Sequence, residues 1–283
     1  MKEFVRCHPI TNLIYYLLVI GFSVTVMHPL YLLTSLIGCL IFYGFINGIK
    51  NTVKISGVVI FLIVFTAIFN ALFNHAGETV LLRFQNGNTL TKESIVFGAV
   101  SGMMLGCVLI WFLTLTKVIT SEKIMYIFGG LIPGVALLIS MILKFIPEMR
   151  EKIKKISDAR NALGIKESKI KRVKNIFRVL VTTSLEDGII TADSMKARLY
   201  GNARRTNYSN YKFLKKDIIF ITVMLLLGGV TLWGVISGSA KATYFPRVEI
   251  SQLEFVPFII FCILVVLPVI FEVWEGLKWK KSR

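Results

Sequence analysis

Residues 55–74 read ISGVVIFLIVFTAIFNALFN, a run with no formally charged side chain. At 1.5 Å of rise per residue, such a run makes a helix about 30 Å long, the thickness of a bilayer core. Backbone N–H and C=O groups in lipid must be satisfied within the segment, so the run is expected to be a spanning helix. Further uncharged runs lie on either side, at 10–27, 29–47, 95–116, 124–143, 218–237 and 256–271. None of them holds Asp, Glu, Lys or Arg. With 55% apolar residues and a mean hydropathy of +0.70, the chain reads as a helical membrane protein rather than a soluble domain.

Charge placement orients the runs. Lys2 and Arg6 precede the first run, which puts the N-terminus inside. No small-residue cleavage site follows that run, so it is expected to be a retained span. Lys50 and Lys54 follow the second run. The loop after the third holds Glu78, Arg83, Lys92 and Glu93 and is neutral, which suits the outside. Lys117 and Lys123 close the fourth run. Segment 144–216 then carries 19 Lys and Arg against 7 Asp and Glu, a net +12 of the chain's +17. The tail Lys278-Trp279-Lys280-Lys281-Ser282-Arg283 is basic as well. If 124–143 crossed the bilayer, both basic stretches would lie outside. It is therefore expected to be buried against protein or to lie along the membrane, bent at Gly129, Gly130 and Pro133. About six spans remain, with both termini in the cytoplasm.

A soluble chain of charge +17 would suggest a nucleic-acid partner. Here the cations flank apolar runs and no nucleic-acid motif occurs, so no such partner is expected. Cys7, Cys39, Cys107 and Cys262 are scattered without metal-ligand spacing. His8, His28 and His75 lie far apart, and two of them precede Pro at expected turns. No metal or cofactor is expected.

The basic segment has its own pattern. Ile146, Met149, Ile153 and Ile156 are spaced 3, 4 and 3, and Ile170, Val173, Phe177 and Leu180 repeat that spacing. Both sets mark amphipathic helices with cations on the other faces. Gly164, at the start of the linker between them, is the expected C-cap. Surface helices that snorkel cations to headgroups would show this pattern. So would a cytoplasmic platform for partners. The chain thus divides into N-terminal spans at 1–119, a cytoplasmic domain of amphipathic helices at 120–216, and C-terminal spans with a basic tail at 217–283.

Both amphipathic helices end alike. The first ends Asp158-Ala159-Arg160-Asn161-Ala162-Leu163-Gly164. The second ends Asp193-Ser194-Met195-Lys196-Ala197-Arg198-Leu199-Tyr200-Gly201, with Arg204-Arg205-Thr206 behind it. A cation at a helix C-terminus gains about 0.3–1 kcal/mol from the dipole, which alone is unspecific. Order and spacing are more specific. The chain resembles the T component, the transmembrane coupling subunit of energy-coupling-factor (ECF) transporters of the cobalt and vitamin permease family. Leu143-Lys144-Phe145-Ile146-Pro147 is similar to that family's lead into its first coupling helix. His8-Pro9-Ile10-Thr11 looks like a shortened form of its N-terminal His-Pro-Thr-Lys region.

The resemblance implies an all-α integral membrane protein with two cytoplasmic coupling helices, in a prokaryotic cell membrane. It implies a non-enzymatic subunit of an ATP-driven importer for a vitamin or transition-metal ion. Its implied partners are two ABC ATPase subunits, one substrate-binding membrane subunit and the lipid bilayer. The implied ATPase-coupling residues are Ala159, Arg160, Ala162, Leu163 and Gly164 on the first helix and Ala197, Arg198, Leu199 and Gly201 on the second. Two departures stand out. Leu163 takes the place of the family's usual Arg, with Arg160 one turn back on the same stripe. Leu199 replaces the usual Gly.

No GxxxxGK[ST] loop is present to cradle nucleotide phosphates, so ATP hydrolysis is expected of a partner. Neither HExxH nor GxSxG occurs. The competing class is a stand-alone secondary transporter, whose spans would carry ionisable groups for ion coupling. Those groups are missing from every uncharged run.

Overall fold

The computed structural model describes residues 3–83, 89–131, 133–164, 168–200, 211, 213–238, 240–250 and 254–281. The fold is helical. In chain order the helices are α1 (Glu3–Arg6), α2 (Pro9–Thr25), α3 (Pro29–Asn47), α4 (Ile49–Phe73), α5 (Lys92–Val118), α6 (Ser121–Leu131), α7 (Pro133–Ala162), α8 (Lys169–Ala197), α9 (Lys215–Ser237) and α10 (Phe255–Lys281). Two small antiparallel hairpins interrupt the loops. One pairs β1 (Val80–Arg83) with β2 (Thr89–Thr91), and the other pairs β3 (Ala242–Thr243) with β4 (Glu249–Ile250).

Among the described residues, five helices are long and apolar enough to cross a membrane: α3, α4, α5, α9 and the stretch Phe255–Val273 of α10. The 17-residue α2 is equally apolar and sits at the short end of the spanning range. The chain is therefore an all-α membrane protein. The run 124–143 is split between α6 and the first turns of α7. α6 by itself has 11 residues, about 17 Å of helix.

The sequence places the helix ends. α2 and α3 both begin with a His-Pro pair. Proline takes the first helical position, where a missing N–H costs nothing. The preceding histidine caps through Nδ1, which accepts from the Ile10 N–H at 3.4 Å in one case and the Leu30 N–H at 3.3 Å in the other. Only Gly48, at φ +83°, separates α3 from α4. Lys50 and Lys54 thus lie within the first turns of α4, not in a loop. The helix outlasts its apolar run because exposed lysines can reach the headgroups while the backbone stays bonded.

The chain forms two compact units, Met1–Lys123 with Tyr211–Arg283, and Ile124–Asn210. In the first, α5 packs closely along α4 through Gly98, Gly102 and Gly106. A Cβ added at Gly98 would lie 2.7 Å from the Thr66 carbonyl, and one at Gly102 would lie 2.7 Å from the Ile63 Cα. Small residues at this spacing let helix backbones approach in a membrane. The core holds Phe4, Tyr15, Tyr16, Phe42 and Trp111 in mutual ring contact. Its polar atoms are bonded across helices: Trp111 Nε1 donates to Ser35 Oγ at 3.1 Å, Ser35 meets Ser23 at 2.9 Å, and the Tyr15 hydroxyl donates to the Val265 carbonyl at 3.0 Å.

In the second unit α7 and α8 form an antiparallel hairpin. Arg172 donates to Ser157 at 2.6 Å near the linker, and Ser184 meets the Met149 sulfur at 3.3 Å further along. Lys152 pairs with Asp187 beside that second contact. The apolar stripe of α8 remains open, with Ile170 84%, Val173 68% and Phe177 64% exposed.

Candidate functional site

The two helix ends singled out by their sequence each close on a left-handed residue whose N–H turns back to the carbonyl three residues earlier. On α7 the last helical residue is Ala162. Leu163 donates to the Ala159 carbonyl at 3.1 Å. Gly164, at φ +65°, donates to the Asn161 carbonyl at 3.0 Å. On α8 the last helical residue is Ala197, followed by Arg198 at φ −86° and ψ 15°. Leu199, at φ +58°, donates to the Lys196 carbonyl at 2.9 Å, and Tyr200 donates to the Met195 carbonyl at 3.0 Å. That second pattern is a full Schellman cap, in which one left-handed residue turns two N–H groups back onto the last open carbonyls.

Taking the left-handed residue as reference fixes the register. Ala162, Leu163 and Gly164 correspond to Ala197, Arg198 and Leu199. Each end keeps half of an Ala-Arg-Gly pattern. The first has the glycine and lacks the arginine, and the second has the arginine and lacks the glycine. Leu199 is the one non-glycine residue with positive φ among the described residues. An L-residue in that conformation costs about 1–2 kcal/mol. The Schellman bonds hold it there.

The ends differ in what they show to solvent. Leu163 is 74% exposed, while Arg160 one turn back is half-buried. On α8, Arg198 and Leu199 are both exposed. One tip is therefore apolar and the other cationic. Because α7 and α8 run antiparallel, the tips lie at opposite ends of the hairpin. The length of α8 sets their spacing at roughly 43 Å for 29 residues. Ala159 and Ala162 sit on the last turns of α7. Gly201 and the Arg204-Arg205-Thr206 group lie outside the described residues.

Sequence spacing identified the residues of both ends but not their common cap. The signal for the first was Gly164. No sequence signal marks a leucine as left-handed.

No family model matches the chain. Over 117 residues it is 34% identical to the energy-coupling factor transporter transmembrane protein EcfT of Lactobacillus helveticus (strain DPC 4571). The match covers 39% of this chain and 42% of that relative, so it spans about two fifths of the relative's length.

Proposed function

We propose that the chain is the T-type coupling subunit of an energy-coupling-factor importer for a vitamin or transition-metal ion. It performs no chemistry itself. Two ABC ATPase subunits hold the tips of α7 and α8, and a separate substrate-binding membrane subunit receives their motion. The observation that carries this reading is the pair of matching caps at opposite ends of one antiparallel hairpin. Two such ends can engage two ATPases and convert their approach into a tilt of the helices between. The partial identity to EcfT supports the same reading.

The roles follow from the tips. Arg198 offers a planar donor fork that can hold a carboxylate through two parallel bonds. Leu163 offers apolar contact at the equivalent place. Unequal tips suit two unequal ATPases. The open stripe of Ile170, Val173 and Phe177 is an apolar surface of the kind that a partner subunit covers. The net positive charge of 144–216 supports a hairpin on the cytoplasmic side, the side also assigned to both termini.

The test is extraction of the tagged chain from its native cells in mild detergent, with the wild type and Arg198→Ala compared at equal yield. The wild type should bring down two P-loop ATPases and ATP-hydrolysing activity, and the variant should lose at least one of them. Full retention of both by Arg198→Ala would overturn the assignment of Arg198. Failure of the wild type to bring down any ATPase would overturn the function.

A further inference from the structure

The chain leaves the membrane unit after Lys123 and returns to it at Tyr211. Both crossings are built against the same short stretch of the N-terminus. At the outgoing crossing, Lys123 is 3% exposed. Its ammonium donates to the Val5 carbonyl. With the Asn12 amide oriented to satisfy its neighbours, Lys123 also donates to Asn12 Oδ1 at 2.6 Å, and Asn12 Nδ2 donates to the Phe4 carbonyl at 3.2 Å. At the returning crossing, Asp217 is 6% exposed. Its carboxylate accepts from the His8 N–H at 3.3 Å and from the Leu214 N–H at 3.1 Å, which closes the start of α9. The Phe213 ring lies 4.0 Å from the His8 ring, centroid to centroid.

The stretch is itself fixed in the membrane core. Phe4 is fully buried and meets Tyr15, Phe42 and Phe220 edge to face. Its N–H donates to Glu272 on α10 at 3.3 Å.

A lysine that only marked the cytoplasmic side would snorkel to the headgroups, as exposed Lys117 does one turn and a bend earlier. Lys123 instead takes its charge inward. Burial lowers its amine from 10.5 to about 8. A buried cation is tolerated when acceptors surround it, and leaving its partners unpaired is costly. The crossings also feel each other: burial, and after it the Glu122 carboxylate, push the Tyr211 phenol above its ordinary value.

We infer that residues 4–12 clamp the two points at which the chain leaves and re-enters the membrane unit, with Lys123, Asp217 and Phe213 as positioning residues.

The test is pulsed electron spin resonance on the full chain in nanodiscs of phosphatidylcholine and phosphatidylglycerol. Spin labels replace Ser121 at the outgoing crossing and Trp233 on α9, both exposed. Lys123→Met removes the buried cation. Phe213→Ala removes a half-exposed ring and leaves the buried bonds in place. The clamp predicts a distance distribution at least twice as broad in each variant, with helix content by circular dichroism unchanged. If Lys123→Met fails to fold, Phe213→Ala decides. An unbroadened distribution in the folded variants would overturn the proposal. The measurement needs no ATPase, so its result is separate from the co-purification that tests the function.

Discussion

Leu199 sits where a Schellman cap calls for glycine, and replacing it should strengthen the tip. The left-handed conformation costs an L-residue about 1–2 kcal/mol. Glycine returns part of this through the greater freedom of the open chain, about 0.5–1 kcal/mol. Leu199 is 68% exposed, so little packing is lost with its side chain. Leu199→Gly should therefore stabilise the closed cap by about 1 kcal/mol, or about fivefold in the local opening equilibrium. The mirror substitution is Gly164→Ala. A Cβ built there meets nothing within 4 Å, and φ is +65°, so its cost is purely conformational. It should open the α7 cap about fivefold more often. The assay is amide hydrogen exchange, read by mass spectrometry on peptides that cover Arg198–Tyr200 and Leu163–Gly164. The N–H groups of Arg198, Leu199 and Tyr200 bond to Ser194, Lys196 and Met195 and report opening directly. Unchanged or faster exchange in Leu199→Gly, or unchanged exchange in Gly164→Ala, would refute the shared cap.

Three further outcomes follow. Gly98→Ala and Gly102→Ala should each cost about 1–3 kcal/mol by overpacking α5 against the α4 backbone, and lower the thermal midpoint in detergent. Gly229→Ala, whose added Cβ meets nothing within 4 Å, should not; equal midpoints for all three would dismiss the close approach. His8 must stay neutral to accept the Ile10 N–H, and burial, more than the opposed effects of Asp217 and Lys123, lowers its pKa below the ordinary 6.5. A lowered folded pKa gives stability that is full above 6.5 and lost as pH falls through the folded value. His8→Asn, which caps without titrating, should flatten the fall in thermal midpoint between pH 7 and 5, and an identical fall would exclude His8 as its source.

The spans were legible because lipid forbids charge over twenty residues, and each uncharged run in 29–74 became a helix. Their ends were less legible. Lys50 and Lys54 fall between two uncharged runs, yet the helix continues beneath them because their side chains reach outward. Gly98, Gly102 and Gly106 repeat at a spacing of four, but their role emerged only in the packing of α5 on α4, because spacing does not say which helix such a stripe meets. The two helix ends stood out in the sequence through the order of Ala, Arg and Gly. Their equivalence was hidden because Leu199 adopts a backbone conformation that leucine rarely shows. The clamp left no sequence signal. Asn12, Lys123 and Asp217 are each about a hundred residues apart, and a lysine beside an apolar run reads as a topology marker whether it points outward or inward.

The most direct test of the coupling account is site-specific photo-crosslinking in native membranes, with a photoreactive residue at Leu163, at Arg198 and, as control, at Trp233. The account predicts ATPase adducts from both tips, to different ATPase chains, and none from Trp233. Absence of an ATPase adduct from both tips would contradict it.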